Sequence, residues 1–171
     1  EAGTKLEVWA PGSTTSRLVD VERTGRGSGG PYDAIVAGAK EDEAWIVLSG
    51  QIVHYDAGAV NSLPALPDGS SAADHAVDRA GRLHVVTPEE TKYDLKAQAQ
   101  VVVKPARLYT WTGARWEEQK LGVSPNSVET DEHGTLWIAA DRVLLRERAS
   151  ADEVSVAVDV TASPLRSSGR G

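Results

Sequence analysis

Few groups in this chain are typed and spaced for chemistry. Histidines stand at positions 54, 75, 84 and 133. None forms a His-x-His or His-x-x-x-His pair, so a zinc site cannot be read from their spacing. Cysteine is absent, which removes thiolate ligands, disulfides and a cysteine nucleophile together. Carboxylates cluster at Glu41-Asp42-Glu43 beside Lys40, and such a cluster can attract a hard cation or a basic partner. The alternating Asp, Asn and Gly of a calcium loop is missing, however, and a solvated turn between strands is the expected role. Gly25-Arg26-Gly27-Ser28-Gly29-Gly30 is glycine-rich with no helix to follow, which makes it a linker rather than a phosphate cradle. Trp111 and Trp116 flank the Thr112-Gly113 turn; exposed there they would stack on sugars, and buried they would pack between outer strands. No Gly-x-Ser-x-Gly elbow occurs, and no nucleophile is assigned.

These residues must be held by strands. Phe and Met are absent, Gly numbers 16, and Val, Ile and Thr recur in short runs, a composition of strands and turns rather than long helices. The 171 residues suffice for one sizeable domain. A formal charge of −7 argues against a phosphate-tracking surface, so nucleic acid is not an expected partner. No apolar run is long enough to span a bilayer as a helix. The chain starts at Glu1 rather than Met, which suggests that something upstream has been removed; with the lack of Cys this leans towards an extracytoplasmic location, periplasmic or secreted. No cofactor is expected.

Three segments are alike: Glu43-Ala44-Trp45-Ile46-Val47-Leu48, Gly81-Arg82-Leu83-His84-Val85-Val86 and Gly134-Thr135-Leu136-Trp137-Ile138-Ala139. Each follows an acidic or glycine turn and leads towards a second apolar strand. Around them the pattern predicts a hairpin over 5–22, a repeat over 32–68 with a last, edge strand within 59–66, a second repeat over 75–121, and a third over 127–160. The tail 162–171 has no apolar pattern and is expected to be extended. The second repeat is interrupted by an insertion, residues 88–104. Pro88 with Glu89 and Glu90 suits a short helix start, and Val101-Val102-Val103 suits an extra strand.

Trp45, His84 and Trp137 occupy corresponding positions, 39 and 53 residues apart. With the insertion set aside the period is about 40 residues with four strands per unit, the spacing of a β-propeller blade. Val77-Asp78-Arg79-Ala80-Gly81-Arg82-Leu83-His84-Val85 and Glu129-Thr130-Asp131-Glu132-His133-Gly134-Thr135-Leu136-Trp137-Ile138 resemble the blade motif of bacterial propellers of the sensor-domain and lyase-like type. The resemblance spans roughly residues 5–160 and implies an all-β fold of antiparallel four-stranded blades. Trp45, His84 and Trp137 would pack between blades, His84 with one ring nitrogen satisfied, while His133 would lie exposed in a turn.

The count comes to about three and a half blades, because the hairpin over 5–22 supplies only two strands, and propellers close with four to eight blades. An incomplete ring follows, completed by upstream sequence, another chain or a second copy. In a four-stranded blade, the loop between the second and third strands emerges on the same rim as the connections between blades. The insertion therefore joins residues 25–31, 66–74 and 122–126 there, and the expected binding residues are Glu89, Glu90, Lys92, Tyr93, Tyr32 and Asp74. The leading reading is a non-enzymatic interaction or sensor module that contacts another protein chain. Two others stand beside it: a propeller-type lyase or lactonase, with His and carboxylates converging on a metal, and a tectonin-like carbohydrate-binding propeller.

Overall fold

The computed structural model describes residues 4–9, 15–21, 34–48, 51–141, 143–147 and 154–159. Every regular element among them is a β-strand, and all pairing is antiparallel. The chain forms two compact units, residues 1–71 and 72–171. The expected tail 162–171 and the glycine-rich 25–31 lie outside the described residues.

In the first unit, β1 (Thr4–Trp9) and β2 (Ser16–Val21) form a hairpin. A four-stranded sheet follows in chain order: β3 (Ala34–Ala37), β4 (Glu43–Leu48), β5 (Gln51–Asp56) and β6 (Ala59–Ser62). Ile46, Leu48, Val53 and Tyr55 form its core, joined by Val19 of β2. A lone two-stranded hairpin is marginal in water, so this packing is what holds β1 and β2. Arg17 adds a hydrogen bond to the Tyr55 hydroxyl. The last strand stops at Ser62 rather than running on towards Leu66, because Pro64 has no N–H to give a ladder.

The second unit holds two further four-stranded sheets. β7 (Asp74–Val77), β8 (Leu83–Thr87), β11 (Arg107–Trp111) and β12 (Trp116–Lys120) make one. β13 (Ser127–Thr130), β14 (Leu136–Ala140), β15 (Val143–Glu147) and β16 (Val154–Asp159) make the other as an uninterrupted meander. One core spans both, with Val86 and Leu108 from the first sheet and Val128, Leu136, Ile138 and Leu145 from the second. The innermost strands are clasped by side chains: the Val128 N–H donates to Asp74 Oδ2 at 2.9 Å, and Thr130 Oγ1 donates to the Val77 carbonyl at 2.9 Å.

The insertion corrects one expectation. Instead of a helix start, Glu90–Asp94 is a strand, β9, paired with β10 (Ala99–Lys104) in a separate two-stranded sheet. Glu90 to Asp94 alternates charged side chains with Thr91 and Tyr93, which favours a strand. Asp94 then turns the chain by accepting the N–H groups of Lys96, at 2.7 Å, and Ala97, at 3.2 Å.

Candidate functional site

A carboxylate organises the turn between the first two strands of each four-stranded sheet. Asp78 directly follows β7. Its Oδ1 accepts the backbone N–H groups of Ala80 and Arg82, both at 2.9 Å, while Oδ2 takes Arg82 Nε at 2.7 Å and meets His84 Nε2 at 3.2 Å. Asp131, directly after β13, repeats this with the N–H groups of His133 and Thr135 and with Trp137 Nε1, each at 2.9 Å. The chain can reverse so tightly because Gly81 and Gly134 both sit at φ +81°, in the left-handed region. His84 replaces the tryptophan because its Nε2 offers a donor six positions after the aspartate, as Trp137 does. Its Nδ1 meets Thr110 Oγ1 at 3.0 Å, so both ring nitrogens are engaged rather than one.

Electrostatics follow from these bonds. Burial by itself would raise the Asp78 carboxyl, but the bonds from His84 and from the backbone and side chain of Arg82 hold it well below the usual carboxylate range. The Trp137 indole, followed by the Thr135 N–H, lowers Asp131 to about 2.

The first sheet solves the same turn differently. Gly38 follows β3 as Asp78 follows β7, and a Cβ built on it would run into Cγ and Oε2 of Glu43. Glu43 thus enters that space from the other side of the turn. Its Oε2 accepts the Lys40 N–H at 3.1 Å, two positions after Gly38 as Ala80 is two after Asp78, and its Oε1 meets His54 Nε2 at 2.8 Å. Burial would raise this carboxyl; the bonds from His54 and the Lys40 N–H, with the Lys40 charge, bring it below its ordinary value. The Trp45 indole N–H is left buried with no acceptor among the described residues, while its ring stacks on His54 at 4.0 Å.

The expected solvated turn therefore holds for Glu41 and is wrong for Glu43, which is only 8% exposed. The sequence signal for this was the Gly38 and Glu43 pair, meaningful only against the Asp78 and Asp131 turns. Glu43, His54 and Asp56 can bring three ligand atoms within 4.8 Å of one another. As they stand, His54 bonds Glu43, and Lys40 Nζ lies 3.7 Å from Glu43 Oε1 and 3.4 Å from Asp56 Oδ2, so the carboxylates already have partners.

The insertion presents a different surface. Tyr93, Val102 and Val103 are each half exposed, and Leu95 at the tip is 83% exposed. The hairpin is anchored at its base, where the Glu89 N–H donates to Ser124 Oγ at 3.0 Å, which puts the insertion beside the 122–126 connection. Glu89, Lys92 and Tyr93 are exposed, and Glu90 pairs with Lys104 at 3.1 Å across the hairpin. Asp74 lies opposite Val86, near the end of β8 from which the insertion leaves, and its Oδ2 accepts the Val128 N–H in the clasp between inner strands. Tyr32 lies outside the described residues.

Trp45 is buried, His84 fully so, and Trp137 half-buried. His133 is exposed in its turn. Trp111 and Trp116, paired across β11 and β12, are half-buried and lean on each other at 5.2 Å. Beside Trp116 a groove of about 600 Å³ is lined by Arg82, Leu108, Thr110, Arg115 and Glu117.

No family model matches the chain, and no curated protein matches it. Among solved structures, a β-propeller, YCF48 bound to a D1 peptide, is similar with a TM-score of 0.53 and 13% sequence identity. The match covers 82% of this chain and 41% of that one, so the chain spans less than half the length of the propeller it matches. The four-stranded antiparallel sheets are β-propeller blades.

Proposed function

We propose that this chain is a non-enzymatic interaction module, part of a β-propeller that binds another protein chain through the rim marked by residues 88–104. The observation that carries this reading is the β9–β10 hairpin, which holds Tyr93, Leu95, Val102 and Val103 out to solvent on a pair of hydrogen-bonded strands. A packed scaffold that projects apolar side chains on a loop is built for contact. The similar YCF48 structure holds a peptide, which supports a protein ligand for blades of this kind. On this reading further blades, from upstream sequence or another chain, complete the ring.

Selection from a displayed library of random peptides tests it. Peptides that bind the chain are expected to lose at least about tenfold in affinity, some 1.4 kcal/mol, when residues 89–104 are replaced by Gly-Ser-Gly. The β8–β11 pairing from Thr87 and Arg107 onward does not include the insertion and should survive that replacement. A selection that yields no binder, or binders indifferent to the replacement, overturns the reading.

A further inference from the structure

The two outer edges of the insertion hairpin differ in kind. β9 carries Glu90, Lys92 and Asp94 within five positions, and charge along an edge discourages another strand from adding to it. β10 carries Val101, Val102 and Val103 in succession, and its single charge, Lys104, is already paired with Glu90. Residues 99–103 are exposed, and among the described residues the ladder partner of β10 is β9. An exposed, uncharged, β-branched edge is a template for strand addition.

Charge allows a second copy to occupy it. Residues 89–104 contain Glu89, Glu90 and Asp94 against Lys92, Lys96 and Lys104, a net of zero, whereas the whole chain carries −7. Two copies that repel elsewhere can meet here without opposing like charges. The register shift between Val102 and Lys104 ends the regular ladder and confines any added strand to the stretch before it. Antiparallel pairing of one edge with itself is two-fold symmetric, so it closes at two copies instead of propagating.

We infer that the β10 edge pairs antiparallel with the β10 edge of a second copy of this chain, making one four-stranded sheet across a two-fold axis near Val101 and Val102. The inference rests on reading the insertion as a protein-binding rim and names its occupant as a second copy rather than an unrelated peptide.

The absence of cysteine makes the test clean. In sedimentation over a concentration series the chain is expected to reach twice its 18.2 kDa mass. The Val102→Lys variant should stay monomeric with an unchanged circular dichroism spectrum. In a glutathione buffer, Val102→Cys should form a covalent dimer at least about tenfold faster than Glu117→Cys on β12. A monomer at every concentration, a dimer that Val102→Lys leaves intact, or equal cross-linking at both positions overturns the inference. If the chain is monomeric while selected peptides still depend on residues 89–104, the rim reading stands and the second-copy pairing alone is rejected.

Discussion

Glu43 fills, from the far side of a turn, the space that an aspartate at Gly38 would fill from the near side. The two positions are coupled, so they should be non-additive when changed together. Gly38→Asp alone is expected to cost about 1–3 kcal/mol through overpacking against Glu43. Gly38→Asp combined with Glu43→Thr should recover most of that loss, because the new carboxylate can accept the Lys40 N–H and reach the Trp45 indole, which has no acceptor among the described residues. Urea unfolding of the single and double variants measures this, and strictly additive losses would refute the equivalence of the turns.

Asp78 satisfies three donor groups and the fully buried His84 ring. Asp78→Ala would leave that ring facing an empty, unsatisfied site, and about 2–4 kcal/mol of stability should disappear in denaturant melts. A loss under about 0.5 kcal/mol, the size of an ordinary surface change, would contradict a structural role for this carboxylate.

Asp131 sets the acid limit differently. Its carboxyl titrates near 2 when folded and near 3.8 ordinarily, so the unfolded chain binds the proton first as pH falls. Stability from this group is complete above about pH 4 and drains away down to about pH 2. Asp131→Asn should flatten that part of the pH profile of the melting temperature, and a variant retaining the full slope would argue against it.

His75 works at milder acidity. Burial lowers its pKa from 6.5 despite the charges of Asp74 and Glu129, and the folded ring resists protonation. The unfolded state takes up the proton as pH drops below about 6.5, so stability declines over that range until the folded ring also titrates. In His75→Leu the decline should weaken, as followed by thermal melts in matched buffers.

Asp74→Ala should expose the joint between the two inner strands of the second unit. The expected result is faster amide exchange at Val128, with little change at Ile138, whose ladder lies within one sheet. Equal acceleration at both amides would mean global destabilisation instead.

Much of the architecture was legible because strand alternation and the Gly81 and Gly134 turns are local signals. The opening of the insertion misled because Pro88, Glu89 and Glu90 are compatible with a helix start, while the strand depends on partners further along the chain, as in Gln100 opposite Tyr93 and Lys104 opposite Glu90. The second bond of His84 was invisible for a similar reason, since Thr110 is 26 positions away. Glu43 looked like surface charge because acidity in a turn ordinarily means solvent; its burial follows from a missing side chain at Gly38, and an absence is hard to weigh in a single repeat. The apolar exposure of the hairpin was hidden as well, since Val101 to Val103 read equally well as an interior strand.

The clasp made by Asp74 and Thr130 has a bearing on how such a chain can lengthen. Because neighbouring inner strands are fastened by one carboxylate and one hydroxyl gripping main-chain groups, the polar part of the seam rests on two side chains, beside the apolar core that the two sheets share. A duplicated gene segment that carries an acid at the head of its innermost strand and a hydroxyl at the foot would arrive with its own fastenings, and would need to keep only its apolar face and its turn.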